Sequence, residues 1–495
     1  MEEQLAIKPQ NTIVILSDEH SRKVAACYGH PLVRTPNLDR LAASGTRFTA
    51  SYSPSPICVP ARASFATGRY VNHIRCWDNA IAYDGKPASW GHELMAGGHE
   101  VVSIGKLHYT RGDAARNGFS EEILPLHIVD GVGDLLGLIR DDMAPRKGAL
   151  LMGPEAGPGE SEYTRYDRSI AEAAVDWLKN PARSESGKPW VLYVGFVAPH
   201  FPLVAPEEFF DLYKDLDIEL PKLYAKPDRP SHPFLNAMRE CMVHDKGFKD
   251  EAMVRQALAA YYGLVSFLDD NIGKVLNALE EAGLRSNTRV IYSSDHGDNL
   301  GARGMWAKST MYEESAGVPL IVAGEGIPKG HVCEEPVTLA DLYPTLLESA
   351  QCSPTLKQPP PVDGVSLFAV ANGQTPDRTI LVEYHAAAAI SATYMVRVRQ
   401  YKFIYYVGLP AMLFDLEKDP EELNDLGKSS EHADIRAECE ATLRGMVNPE
   451  EVDAQARLDQ QHRIEQFGGR EAIVKGGTFR FSPPPNVSPE VFPNQ

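Results

Sequence analysis

The sequence predicts an α/β fold with a large domain and a smaller C-terminal companion, and three observations support this. The chain has 495 residues, which is more than a single ordinary hydrophobic core holds. Short apolar runs with the length and composition of buried strands occur at 11–16, 99–104, 190–197 and 289–293. The segment 251–282 carries apolar residues at helical spacing and predicts a long helix packed against a sheet.

The other elements follow from local signals, taken in chain order. Pro36 and Gly45 mark the start and the end of a helix that leads into a strand. Gly, Pro and charged residues are frequent in 110–165, which predicts an irregular insertion that forms pocket walls, and 206–249 is a second such insertion. The remaining predicted helices are 169–178, 338–350 and 433–446, and the remaining predicted strands are 379–384, 394–399 and 401–407.

Composition argues against several functional classes. Hydrophobic residues make up 43% and charged residues 23% of the chain, as in ordinary globular proteins. The net charge of -18 argues against nucleic acid or an anionic membrane as the main partner. No long apolar run precedes the first strand, so neither a signal peptide nor a transmembrane segment is expected. The seven cysteines are scattered and fit no disulfide framework or CxxC site, so we expect a cytoplasmic location.

The stretch 55–69, SPICVPARASFATGR, is the most informative part of the chain. Pro60 suits the first turn of a helix and Gly68 its end, so Cys58 is expected at a helix N-terminus with Arg62 one turn away. Backbone N–H groups and the helix dipole favour a nucleophile or an oxyanion at such a point. The spacing alone favours a simpler interpretation, in which Cys58 is a small buried hydrophobic residue.

The order of residues in this stretch, in contrast, favours a functional role for Cys58. Cys58-Val59-Pro60-Ala61-Arg62, followed by Thr67-Gly68-Arg69, resembles the signature of the type I sulfatases and departs from it only in Ala61, where Ser is commoner. The resemblance implies an alkaline-phosphatase-like fold, in which helices sandwich a large mixed sheet and a small α+β domain follows. It also implies that a maturation enzyme converts Cys58 to formylglycine, whose hydrate attacks sulfur or phosphorus.

Two pairs of residues that follow predicted strands resemble the metal ligands of that family. Asp18 and Glu19 stand where sulfatases have Asp-Asp or Asp-Gln, although spacing alone also fits a helix N-cap. Asp295 and His296 begin the Asp-His-Gly element of the superfamily. The resemblance implies one divalent metal held by these four residues and by modified Cys58. The mainly hard ligand set favours Ca²⁺, which most of the family uses, and the imidazole keeps Mn²⁺ as an alternative.

Five further residues match positions that face the substrate in the family. Lys106 and His108 form a Gly-Lys-x-His element, and in an extended segment both side chains project to the same side. His200, held between prolines, is implied as the proton donor to the leaving group, and Lys308 as a sulfate contact. Asn79 resembles an Asn of the choline-sulfatase and phosphonate-monoester-hydrolase branch. The predicted catalytic residues are Cys58, Arg62, Asn79, Lys106, His108, His200 and Lys308.

The predicted function is hydrolysis of an aryl or small alkyl sulfate ester. A phosphonate monoester hydrolase or phosphodiesterase on the same site is the alternative, because His296 and Asn79 resemble that branch, whereas Lys106 and His108 keep the sulfatase form. A catalytically inactive binding protein is a third possibility, against which the intact site argues. Because the substrate is a small anion and the chain is acidic, we expect a basic pocket within an acidic surface.

The predicted domains are a catalytic domain (1–375), a small antiparallel sheet with a helix (376–466) and an extended tail (467–495). The polar, Pro-rich stretch 353–378 marks the first boundary. The tail has too little apolar surface to fold alone, so it is expected either to be disordered or to lie across another subunit of a homo-oligomer, and we favour the second.

Overall fold

The centre of the computed structural model, which describes residues 7–180, 187–353 and 361–492, is an eight-stranded sheet. Its strands are β1 (Asn11–Asp18), β2 (Gly45–Phe48), β3 (Val101–Lys106), β4 (Glu121–Leu126), β5 (Val191–Pro199), β6 (Thr288–Ser294), β7 (Leu320–Ala323) and β8 (His331–Cys333). Their order across the sheet is β8-β2-β7-β6-β1-β5-β3-β4. Paired strands are parallel except at β7, which runs antiparallel to β6 and β2. The predicted mixed sheet is confirmed.

Helices cover both faces of this sheet, because the side chains of a strand alternate between its two sides. Val14 and Leu16 of β1 belong to one core, and Ile13 and Ile15 belong to the core on the other face. The longer helices are α1 (Pro36–Ala43), α2 (Cys58–Thr67), α3 (Trp90–Ala96), α4 (Glu162–Lys179), α5 (Pro233–Cys241), α6 (Glu251–Glu281), α7 (Leu342–Ala350), α8 (Ala433–Met446), α9 (Pro449–Gln466) and α10 (Arg470–Gly476). The first core includes residues of α2, α3 and α7, and the second includes residues of α1, α4 and α6.

Several shorter elements connect these. The short helices are Val71–Ile74, Ala114–Asn117, Met152–Glu155, Glu207–Phe210, Glu313–Ala316 and Leu367–Ala371. The short strand pairs are Ser51–Tyr52 with Val337–Thr338, Gly157–Pro158 with Val204–Ala205, and Thr478–Phe479 with Val491–Phe492. Across the described parts of the chain, no helix combines the length and the apolar character needed to cross a membrane.

A second, four-stranded antiparallel sheet forms the C-terminal unit. Its strands are β9 (Leu381–Tyr384), β10 (Thr393–Val398), β11 (Tyr401–Tyr406) and β12 (Met412–Asp415). Lys402 of β11 is fully buried and pairs with Glu313 at 2.9 Å and with Glu422 at 2.8 Å. Glu313 precedes β7 in the chain, so this ion pair connects the second sheet to the large domain. The domain bounds stay a prediction, and residues 354–360 of the predicted boundary lie outside the described residues.

Two segments differ from expectation. The insertion 110–165 contributes β4, an edge strand whose partly exposed residues and Pro125 give a weak strand signal. The tail was expected to be extended on another subunit, yet it forms α10 and then packs against its own chain. The ring centroids of Phe481 and Tyr163 lie 5.0 Å apart. A place at a subunit interface and a homo-oligomer therefore stay predictions.

Candidate active site

Four adjacent strands of the large sheet end at the same edge and carry most of the predicted site. Asp18 is the last residue of β1 and Lys106 the last of β3, whereas His200 directly follows β5 and Asp295 directly follows β6. Parallel strands present their carboxyl ends together, which is where open α/β sheets place ligands. Cys58, the first residue of α2, faces this edge. The structure thus brings residues from five separate segments into one place.

The innermost group contains two carboxylates, one imidazole and one thiol, all buried. The Cys58 Sγ atom lies 3.1 Å from His296 Nε2 and 3.7 Å from Asp18 Oδ1. Single ligand atoms of Asp18, Cys58, Asp295 and His296 all lie within 4.8 Å of one another. His296 Nδ1 lies 3.0 Å from the Gly297 carbonyl oxygen and donates to it, which leaves the Nε2 lone pair facing the carboxylates.

Arg62 lies beneath the carboxylates and away from the substrate space. Its guanidinium donates to Asp295 Oδ2 at 2.7 Å, to Asp18 Oδ2 at 3.2 Å and to the Lys106 carbonyl oxygen at 2.9 Å. The side chain is 1% exposed, and Arg62 is absent from the residues that line the pocket. The fixed positive charge expected one turn from Cys58 is therefore present, but it holds the two carboxylates in place.

Lys308, His200 and Glu19 form a second group beside the first. Lys308 Nζ lies 2.7 Å from His200 Nε2 and 3.2 Å from Glu19 Oε2. His200 Nδ1 donates to the Phe201 carbonyl oxygen at 2.6 Å, so Nε2 accepts from the ammonium of Lys308. Burial and the neighbouring Lys308 charge hold the pKa of His200 well below its usual range. The Glu19 Oε1 atom is buried and has no hydrogen-bond partner among the residues that the structure describes.

Lys106 and His108 line the same pocket, as expected, although the backbone between them is not extended. Lys106 Nζ pairs with Asp18 Oδ2 at 2.5 Å. His108 has a φ of 60°, in the left-handed region, and its N–H donates to the carbonyl oxygen of Leu126, the last residue of β4. His108 Nε2 lies 2.7 Å from the Ser482 hydroxyl, whereas Nδ1 is buried and has no hydrogen-bond partner in the described part of the chain. Ser482 of the tail thus holds the Nε2 edge of the His108 ring.

Asn79 is held at the N-terminus of α2. Its Oδ1 atom accepts the backbone N–H of Val59 at 3.1 Å, and Asn79 lines the pocket beside Cys58. With its oxygen engaged, the side-chain amide keeps its two N–H donors for another partner. The preceding Asp78 is buried and accepts from Gln460 of α9 at 2.9 Å, so the C-terminal unit supports this loop.

The environment of the Cys58 thiol argues against a plain cysteine nucleophile. Burial, reinforced by the negative charge of Asp18, raises the pKa of Cys58 to about 11. A free thiol here is therefore protonated near neutral pH, and only a thiolate is a competent nucleophile. The helix N-terminus does not outweigh this, because burial and the adjacent carboxylates act in the opposite direction.

Sequence reasoning missed two groups that shape the site. Asp167 of α4 accepts the backbone N–H groups of Val197 at 2.8 Å and Ala198 at 2.7 Å, and so fixes the end of β5 that presents His200. Burial raises the pKa of Asp167 to about 7. The tail residues 479–482 line the pocket, and no pattern in this Pro-rich segment indicated it. Asp167 was missed because the predicted helix was 169–178, whereas α4 begins at Glu162 and includes Asp167.

Two family profiles match the chain. The sulfatase profile covers residues 10–352, and the profile of the C-terminal region of N-sulphoglucosamine sulphohydrolase covers residues 301–448. The chain belongs to the sulfatase family. Sulfatases are enzymes that hydrolyse sulfate esters, so the predicted family and reaction are confirmed.

Named relatives agree with this placement. This chain is 33% identical over 432 residues to choline-sulfatase of Rhizobium meliloti, and the aligned region covers 85% of this chain and 82% of that relative. It is 27% identical over 490 residues to human arylsulfatase K, covering 93% and 86% of the two chains. Phosphonate monoester hydrolase of Agrobacterium radiobacter superposes with a TM-score of 0.71 at 21% identity, covering 90% of this chain and 96% of that one. This last likeness shows the fold alone.

Sulfatases of this family in general use a divalent metal and a formylglycine, and the residues of the site fit both. Asp18, Asp295 and His296 Nε2 are donors that such a metal accepts. The partnerless Oε1 of Glu19 is a further buried oxygen beside this group. Cys58 opens helix α2 within reach of the same donors.

Proposed function

We propose that this sulfatase hydrolyses the sulfate ester of a phenol or a small alcohol, with residue 58 as the nucleophile after conversion to formylglycine. The observation that carries the proposal is that Cys58 lies against Asp18 and His296 and lines one pocket with Lys106, His108, His200 and Lys308. A separate maturation enzyme would carry out the conversion. The hydrate of the aldehyde would supply one hydroxyl that attacks sulfur while the bond from sulfur to the alcohol oxygen breaks. Deprotonation of its second hydroxyl would then re-form the aldehyde and release sulfate.

For the metal we propose a single divalent ion held by Asp18, Asp295, His296 and residue 58, with Glu19 Oε1 as a further ligand. Such an ion supplies Lewis acidity, which favours a negative nucleophile and offsets charge on the sulfate oxygens. We favour Ca²⁺ because the donors are mainly hard oxygens, and keep Mn²⁺ as the alternative because one donor is an imidazole.

The cationic residues stabilise charge on the transferred group. Lys106 and Lys308 both line the pocket that Cys58 lines, and each is oriented by a buried carboxylate, Asp18 and Glu19 respectively. Fixed charges of this kind need no rearrangement during the reaction, which is the usual source of most of the rate acceleration. Arg62 acts from behind the carboxylates as a positioning residue.

Two histidines handle protons at defined atoms. His200 Nε2 accepts from Lys308, so this pair holds the proton that passes to the leaving oxygen. His108 has its Nε2 engaged by Ser482, so its partnerless Nδ1 is the nitrogen that accepts a proton during sulfate release. Protonation of the leaving group and release of sulfate are thus assigned to different histidines.

A phosphonate monoester activity on the same site is the second candidate. His296 favours it, because it resembles that branch in sequence and its Nε2 lies within the acidic group. Lys106 and His108 favour sulfate, since both line the pocket in the sulfatase pattern.

Assays of the metal-loaded enzyme with para-nitrophenyl sulfate and with the para-nitrophenyl ester of phenylphosphonate separate these functions. We expect the sulfate to have the higher kcat/KM, and a Cys58→Ala variant to have no measurable turnover of either ester. Elemental analysis of the same preparation should find one Ca²⁺ or Mn²⁺ per chain. A higher kcat/KM for the phosphonate would reverse the order of the two functions, and full activity in the alanine variant would contradict the proposed nucleophile.

A further inference from the structure

The pocket above the proposed nucleophile is unusually basic for this acidic chain. Asp and Glu outnumber Lys and Arg by 67 to 49 in the whole sequence. Among the described residues that line the pocket, however, the cations are Lys106, Arg146, Lys308 and Arg480, and the only anion is Asp134. Cations thus outnumber anions in the described pocket lining, and Arg146 and Arg480 add to the two lysines near Cys58.

The two arginines come from segments far from the catalytic motifs. Arg146 lies in the insertion 110–165, and Arg480 lies in the tail. Arg146 donates from Nη2 to Asp134 at 2.8 Å, and Arg480 donates from Nη1 to Glu155 at 2.6 Å. Each contact uses one terminal nitrogen of a group that has five N–H donors, so each guanidinium keeps donors for a ligand in the pocket.

The positive charges surround a common space. His244 also lines this pocket, and its pKa falls to about 3 through burial and then through the neighbouring charges of Lys308, Arg480 and Arg146. Those three cations therefore all lie close to one side chain. Apolar groups, among them Met152 and the Phe481 ring, line the pocket as well. A ligand that spans from residue 58 to the arginines would pass along this apolar surface.

We propose that the enzyme selects sulfate esters whose alcohol part carries a second anionic group, a carboxylate or a second sulfate, which Arg146 and Arg480 bind. This rests on the proposed sulfatase function and adds the class of substrate. A guanidinium matches a carboxylate or sulfate in geometry and charge. The same positive wall repels a quaternary ammonium alcohol, so we expect this chain to differ in preference from the choline-sulfatase it resembles.

Equilibrium binding to the Cys58→Ala protein tests the subsite without turnover. The ligands are three phenyl sulfates of similar size that carry a para carboxylate, a para carboxamide or a para trimethylammonium group, and calorimetry gives each Kd. We expect the carboxylate to bind most tightly. In this background, Arg480→Met and Arg146→Met should each raise the Kd of the carboxylate by about tenfold or more. The Kd of the carboxamide should change by less than about threefold.

Glu155→Gln is the matched control, because it removes the negative charge that faces Arg480 and keeps the cation. It should leave the Kd of the carboxylate unchanged or lower it. Arg480 lies in the tail, so its variant tests the proposal even if the Arg146 variant fails to fold. Equal Kd values for carboxylate and carboxamide, tightest binding of the trimethylammonium ester, or no effect of Arg480→Met would each overturn the subsite. Turnover of the carboxamide ester by the wild-type enzyme reports on the sulfatase function separately.

Discussion

Replacement of Arg62 by methionine should destabilise the sulfatase in a way that a divalent metal partly reverses. The guanidinium donates to both Asp18 and Asp295, and all three side chains are buried. Its removal leaves two carboxylates without their fixed counter-charge, and breaking a buried ion pair costs about 3–5 kcal/mol. A divalent ion bound to the same carboxylates would supply positive charge, so the loss of stability should be smaller in its presence.

The size of the chain sets the expected change in melting temperature. The entropy of unfolding is about 2.1 cal/mol/K per residue, or roughly 1 kcal/mol/K for 495 residues. A loss of about 3–5 kcal/mol therefore lowers the Tm by about 3–5 °C when a chelator is present. Scanning fluorimetry of the wild type and the variant, each with EDTA and with excess Ca²⁺ or Mn²⁺, measures both differences.

Arg289→Met provides the control for loss of a buried arginine. Arg289 lies in β6 and donates to the carbonyl oxygens of Lys8 and Glu325 at 2.9 Å and of Ser349 at 3.1 Å, instead of to carboxylates. Its loss should lower the Tm equally with and without metal. The reasoning is refuted if Arg62→Met lowers the Tm by the same amount in both conditions, or if metal rescues the Arg289 variant equally well.

Three further changes have distinct expected results. Cys58→Ser should give no turnover of para-nitrophenyl sulfate beyond a single stable ester, seen as one added sulfate by intact mass; continuous turnover would contradict the hydrate mechanism. Ser482→Ala removes the partner of His108 and should slow sulfate release by about 2- to 10-fold. Single-turnover kinetics should show an unchanged first step, and a slower first step would be contrary to the assignment. Asp167→Asn turns an amide donor towards a backbone N–H group and should lower the free energy of unfolding by about 1–3 kcal/mol. It should also lower kcat through displacement of His200, and a wild-type kcat would show that Asp167 does not position that residue.

The positions of Asp18, Lys106, His200 and Asp295 were accessible from sequence because each of these residues ends or follows a strong strand signal. The runs ending near Asp18, Lys106, His200 and Asp295 became four adjacent strands, and a polar group at the end of a buried strand points to the same edge as its neighbours. The helix of Cys58 was predicted from Pro60 and ends, as expected, at Gly68 in a left-handed conformation.

The remaining features depend on contacts between distant segments. Packing between strands and helices far apart in the chain determines which carboxylates Arg62 contacts. It also determines which groups contact Glu19. The hydrogen bond between Ser482 and His108 depends on the position of a tail whose sequence has little periodicity. Helix α9 was not predicted, because its apolar residues are few and show little one-sided pattern.

The mass of the peptide that contains residue 58, taken from a preparation that hydrolyses para-nitrophenyl sulfate, tests the central claim most directly. Conversion of the cysteine side chain to an aldehyde lowers the mass by about 18 Da. The account predicts this loss, and the fraction of converted peptide should scale with specific activity across preparations. An active preparation in which residue 58 is entirely an unmodified thiol would contradict it.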